Sequence, residues 1–130
     1  MAITVDGRVL GRYWTGVLAE ENTPAAILAA VRAGRTYASE GPQLKDIRFT
    51  PDGRIVVRSS PCIACHIRSR GYGIRSVIAD IACSEFSIDL CTEGYRIRDW
   101  TAVCLEDARG RRAWSSAIPV AVAIEPEAAE

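Results

Sequence analysis

The sequence predicts a mainly β fold, an antiparallel immunoglobulin-like β-sandwich with one short α-helix near the N-terminus. Three observations carry that expectation. Runs of β-branched and aromatic residues recur between turn signals about every 8 to 12 residues. A single alanine-rich stretch is framed by helix start and stop residues. The chain has 130 residues and is 48% hydrophobic, the size and apolar content of one globular domain. The expected organisation is one domain over 1–124, followed by a disordered acidic tail over 125–130. Within the domain, an N-terminal hairpin and strand occupy 3–18, the helix 23–33 and the main sheets 45–122.

The elements follow in order. Ile3-Thr4-Val5-Asp6-Gly7-Arg8-Val9-Leu10 reads as a tight hairpin, because Asp-Gly supplies the positive φ values of a two-residue turn. Residues 13–18 continue as a strand with Tyr13, Thr15 and Val17 alternating against Trp14, Gly16 and Leu18. Thr23 is the expected N-cap and Pro24 the first helical residue, where a missing N–H costs nothing. Ile27, Leu28 and Val31 would form the apolar side of this helix, and Gly34 its stop. Pro51-Asp52-Gly53 is a turn between strands at 46–50 and 54–60. Pro61 is expected to end or bend the second of these, with a new strand at 62–68. A glycine-rich loop at 69–73 leads to 74–82, and Phe86, Ile88 and Leu90 alternate with polar residues as in a half-buried strand. Strands at 100–106 and 113–122, joined by Asp107-Ala108-Arg109-Gly110, complete the set.

Charge removes several function classes. Sixteen basic residues balance 16 acidic ones, so no general electrostatic pull toward nucleic acid or anionic membrane is expected. Lys45 is the only lysine, and the arginines are scattered between acids rather than run together. No stretch approaches the roughly 20 apolar residues of a membrane-spanning helix. The start of the chain lacks a basic region followed by an apolar one, so no signal peptide and a cytoplasmic location are expected. His66 is the only histidine, which excludes any multi-histidine metal centre.

Cys62-Ile63-Ala64-Cys65-His66 has the spacing of haem attachment and of half a zinc site. Its surroundings favour a strand, where positions three apart face opposite ways. Cys62 would then share a face with Ala64 and His66, and Cys65 with Ile63 and Ile67. Cys62, Cys65 and His66 remain as metal or redox candidates, against the reading that the thiols are packing residues. The five cysteines are an odd number, which argues against a disulfide framework. No nucleophile elbow, phosphate-binding loop or paired-histidine motif is present, so no catalytic residue and no cofactor are assigned. The loop at 68–73 has two arginines, two glycines and a tyrosine, a combination able to cradle an anion. Tyr13, Trp14, Arg68, Arg70 and Tyr72 are the candidate ligand or partner contacts. Trp114 and Trp100 are expected to close the sandwich core.

Four stretches carry a likeness. Ala-Ala-Val-Arg-Ala-Gly-Arg-Thr-Tyr-Ala-Ser-Glu-Gly-Pro at 29–42 resembles an ALRAGRFYASTGP segment in the C-terminal part of PHP-type metal-dependent phosphoesterase-like proteins. Asp-Ala-Arg-Gly-Arg-Arg-Ala-Trp-Ser-Ser-Ala-Ile at 107–118 is similar to their closing D-x-x-G-x-x-A-W strand. Residues 55–61 look like their V-x-C-S-P strand and residues 14–19 like the strand before their helix. The resemblance thus spans most of 14–118 in order, with Ala117 and Glu40 departing from the usual proline and threonine. It implies a β-sandwich appendage to a metal-binding catalytic barrel whose H-x-H and D-x-H ligands have no counterpart here. The function it implies is a non-catalytic accessory domain that packs against a PHP-type catalytic domain or forms a homo-oligomer. The residues themselves leave two alternatives open: a free-standing module for a small anion or sugar, or a zinc or redox protein built on Cys62 and Cys65.

Overall fold

The computed structural model describes residues 2–3, 13–69, 74–92, 95–96 and 100–119. They form a mainly β structure in which one antiparallel sheet curls on itself and carries a single short helix. The strands are β1 (Ala2–Ile3), β2 (Trp14–Val17), β3 (Thr36–Ser39), β4 (Leu44–Phe49), β5 (Arg54–Ser69), β6 (Ile74–Asp89), β7 (Cys91–Thr92), β8 (Tyr95–Arg96), β9 (Trp100–Glu106), β10 (Arg112–Ser115) and β11 (Ile118–Pro119). Hydrogen bonding runs in the order β1-β2-β3-β10-β9-β5-β4, with β6 on β5 and β11 on β9; β7 and β8 make a separate ribbon. The expected mainly β, antiparallel architecture with one short helix is what the described residues form, with the strands other than the β7–β8 ribbon hydrogen-bonded into one continuous sheet. Among the described residues no helix is long and apolar enough to cross a membrane.

Helix α1 (Pro24–Arg32) starts and stops as its sequence dictates. The Thr23 hydroxyl accepts from Ala26 N, and Gly34 takes a φ of +73°. Gly34 N donates to Val31 O and Arg35 N to Ala30 O, the paired bonds that close a helix through a left-handed residue. The apolar face differs from expectation. Ala30 is the buried residue, whereas Leu28 and Val31 are about half exposed. Of the expected apolar side, Ile27 is the half-buried member.

The spine of the fold is β5, which Pro61 bends without ending. The expected division into strands at 54–60 and 62–68 gives way to one 16-residue strand. Pro61 is exposed and lies where the ladder is already irregular, so its missing N–H breaks nothing. Pairing with β6 slips between Arg58 and Cys62 and again between Cys62 and Ala64. Cys62 faces Cys83 while Ala64 faces Ile78, so residues 79–82 of β6 bulge out. The bend folds the β5–β6 hairpin over. Arg75 Nη1 donates to the carbonyl of Asp89 at 2.8 Å, although a straight strand would hold residues so far apart in sequence at roughly 45 Å.

The bulge also changes which way side chains point. Ile55 and Val57 face the core before it, and Cys62, Cys65 and Ile67 after it. The expectation that Cys62 and Cys65 take opposite faces is thus overturned: both belong to the core cluster, at a bend where the β5 pairing slips on both sides of Cys62. Phe86, Ile88, Leu90, Val103, Leu105, Tyr37, Leu44 and Ala113 complete the core on the inner side of the curl. On β10 it is Ala113 that faces inward. Trp114 is 41% exposed, so it does not seal the core as expected. The strand expected at 113–122 is broken, with β10 and β11 separated at Ser116 and Ala117.

Several expectations fall on other ground. The chain does return antiparallel near its start, with Ala2 opposite Gly16 and Ile3 opposite Thr15, but the Asp6-Gly7 turn lies outside the described residues. So do Arg70 and Tyr72 of the glycine-rich loop, the strand beyond Pro119 and the tail.

Candidate functional site

The outer face of the sheet gathers the polar chemistry of the chain. In β5, β9 and β10 the inward residues are Cys65, Ile67, Val103, Leu105 and Ala113, so alternation turns His66, Arg68, Cys104, Glu106, Arg112 and Trp114 outward. Register then sets them side by side. Ser76, His66, Cys104, Trp114, Ala38 and Thr15 are successive cross-strand partners across β6, β5, β9, β10, β3 and β2. The next row carries Ile78, Ala64, Glu106 and Arg112.

These side chains enclose a shallow depression of about 430 Å³ lined by His66, Arg68, Cys104, Arg112, Trp114 and Ser115. Glu106 Oε2 lies 3.8 Å from both His66 Nε2 and Arg112 Nη2. Both separations are beyond direct hydrogen-bond distance. On the opposite side of the ring, His66 Nδ1 and Ser76 Oγ share a hydrogen bond of 2.6 Å. The imidazole is therefore held through Nδ1. The main chain of Arg112 is fixed as well: its N–H donates to Glu40 Oε1, and its carbonyl accepts from Glu40 N. The Ser115 hydroxyl accepts from Val103 N and donates to Ser116 O, which leaves it a wall of the site. Burial pushes the Cys104 thiol up, the Arg112 charge opposes this, and Glu106 adds to it. Two arginines and a tryptophan lining one depression suit an anion attached to a planar apolar body.

A larger recess of about 610 Å³ opens between the end of α1 and β4, floored by Tyr37 and Leu44. Its rim balances Arg35 and Lys45 against Glu20 and Asp46, so it presents no net charge preference. Burial raises the Tyr37 hydroxyl, partly offset by its bond with the Leu44 backbone.

The structure sorts the sequence-predicted residues as follows. Arg68 lines the outer depression. Tyr13 is exposed beside β2, while Trp14 turns inward, edge-on to Tyr37 with ring centroids 5.5 Å apart. Cys62 and Cys65 are wholly buried and His66 faces out, so these three do not converge on one point. Glu106, Arg112 and Ser76 were missed, and Trp114, expected to close the core, lines the depression instead. Period-two alternation on each strand marks them as outward, but nothing local says that β10, β9 and β5 are neighbours. Comparison with family models, curated proteins and solved structures found no match for this chain.

Proposed function

We propose that the domain is a non-catalytic binding module that takes a small planar organic anion on the outer face of β5, β9 and β10. The observation that carries this reading is the convergence of Arg68, Arg112, His66 and Trp114 on one depression. The arginines would pair with a carboxylate or phosphate and Trp114 would stack on the planar part. Calorimetric titration with phenyl phosphate tests it. Arg112→Ala is expected to weaken binding about ten- to hundredfold, the cost of one charged hydrogen-bonding group, and Trp114→Ala to remove the preference for phenyl over inorganic phosphate. Affinity unchanged by both substitutions would refute the site.

A second reading, the accessory domain of PHP-phosphoesterase type, is favoured by two other observations. Two stretches that carry the resemblance are neighbours in the sheet, since β3 pairs with β10 through Ser39–Ala113, Ala38–Trp114 and Tyr37–Ser115. Ile78 and Ile81 are 75% and 82% exposed on β6, apolar surface suited to docking on a catalytic domain or a second copy. On this reading the halves of the curled sheet correspond to the two layers of a sandwich, joined where β5 and β6 bend. Sedimentation distinguishes the homo-oligomer: Ile81→Lys should dissociate it, and an unchanged sedimentation coefficient argues for the ligand-binding reading alone.

A further inference from the structure

The bend in the β5–β6 hairpin places two thiols directly opposite each other, and we propose that Cys62 and Cys83 form a reversible cross-strand disulfide under hydroperoxide. They are register partners on adjacent antiparallel strands. Directly opposed residues have Cα atoms about 4.5 or 5.5 Å apart, and both values fall within the roughly 4.4 to 6.8 Å of disulfides. The side chains share a face, because Cys62 belongs to the core cluster and Cys83 packs against it. In a regular ladder such a bond strains the backbone. Here the pairing slips on both sides of Cys62, and bulged strands have slack for the adjustment.

Among the described cysteines this is the pair in register. Cys65 is opposite Val77 and Leu105, and Cys104 is opposite His66 and Trp114 on the outer face. Exposure assigns the roles. Cys83 is partly exposed and flanked by exposed Ala82 and Ser84, whereas Cys62 is wholly buried. The oxidant reaches Cys83 first. Its thiolate attacks one peroxide oxygen, the O–O bond breaks, and the departing hydroxide becomes water as Cys83 becomes a sulfenic acid. The Cys62 sulfur then attacks the Cys83 sulfur, the S–O bond breaks, and the leaving hydroxide takes the Cys62 proton as a second water. Two thiols lose two electrons and one peroxide becomes two waters. Burial raises the Cys62 thiol, which protects it from direct attack on the peroxide.

The reduced full chain is treated with hydrogen peroxide, alkylated and mapped by mass spectrometry without reduction. The expected product is one monomeric species with the peptides of Cys62 and Cys83 joined, lighter by two hydrogens and restored by dithiothreitol. Cys65→Ser should form the same link, and Cys83→Ser should leave Cys62 a free thiol. Oxidation of folded wild-type chain to a Cys83 sulfinic acid with Cys62 still reduced would overturn the proposal. A link from Cys83 to any other cysteine would do the same.

Discussion

Asp107 shows how one side chain fixes a hairpin. Its Oδ1 accepts from Arg109 N and Arg111 N, both at 2.9 Å, and its Oδ2 accepts from Arg111 Nε at 2.8 Å. Gly110 completes the turn with a φ of +78°. Burial alone would raise this carboxyl, but the bonds from Arg111 and Arg109 and the Arg111 charge outweigh it and hold the group below its usual value. A depressed carboxylate contributes stability that is present above its unfolded pKa, near 3.9, and lost as pH falls through its lower folded value. Asp107→Asn should therefore lower stability by about 1–3 kcal/mol at neutral pH. Thermal melts of the two proteins should converge as pH drops below about 4. The partly exposed Arg111 ion pair adds little to that figure. The Asp-x-x-Gly turn was readable from the chain, because its chemistry is local. The thiols differ. Burial pushes Cys65 up to about 12, aided by Cys104, Cys62 and Cys83, so at pH 8 it should resist iodoacetamide until the protein unfolds. Alternation counted straight along β5 puts Cys62 on the face opposite Cys65, whereas the slipped pairing beside Pro61 leaves both in the core.

At the scale of elements, the helix and most strand boundaries followed from local signals. Strand β9 was read at its observed bounds, and Thr23, Pro24 and Gly34 fixed α1. Continuity of β5 through Pro61 was not legible, since it depends on how β6 bulges on the other side. Close approach was equally hidden. A Cβ at Gly16 would lie 2.1 Å from the ring of Tyr37, which is buried between β2 and the core. Gly16→Ala should cost about 1–3 kcal/mol through overpacking. Gly34 has open space around it but a positive φ, so Gly34→Ala should also cost about 1–3 kcal/mol, by backbone strain. The two costs separate in the variants Gly16→Ser and Gly34→Asn. Asparagine tolerates the left-handed region and should recover most of the Gly34 loss in denaturant unfolding, whereas serine at 16 should recover none.

For the whole molecule, what matters is the order of strands. Segments far apart in sequence, β3 and β10, pair, and β9 brings Cys104 and Glu106 between β5 and β10. Each strand advertised its own outward residues. Their assembly into one cationic, aromatic depression is set by long-range pairing, which no local pattern encodes. That depression is the centre of the functional reading, and amide chemical-shift mapping with phenyl phosphate tests it most directly. The shifts should cluster at His66, Arg68, Cys104, Arg112 and Trp114 and need about ten- to hundredfold more ligand in Arg112→Ala. Shifts confined to the recess around Leu18, Arg35 and Lys45, or none at saturating ligand, would contradict it.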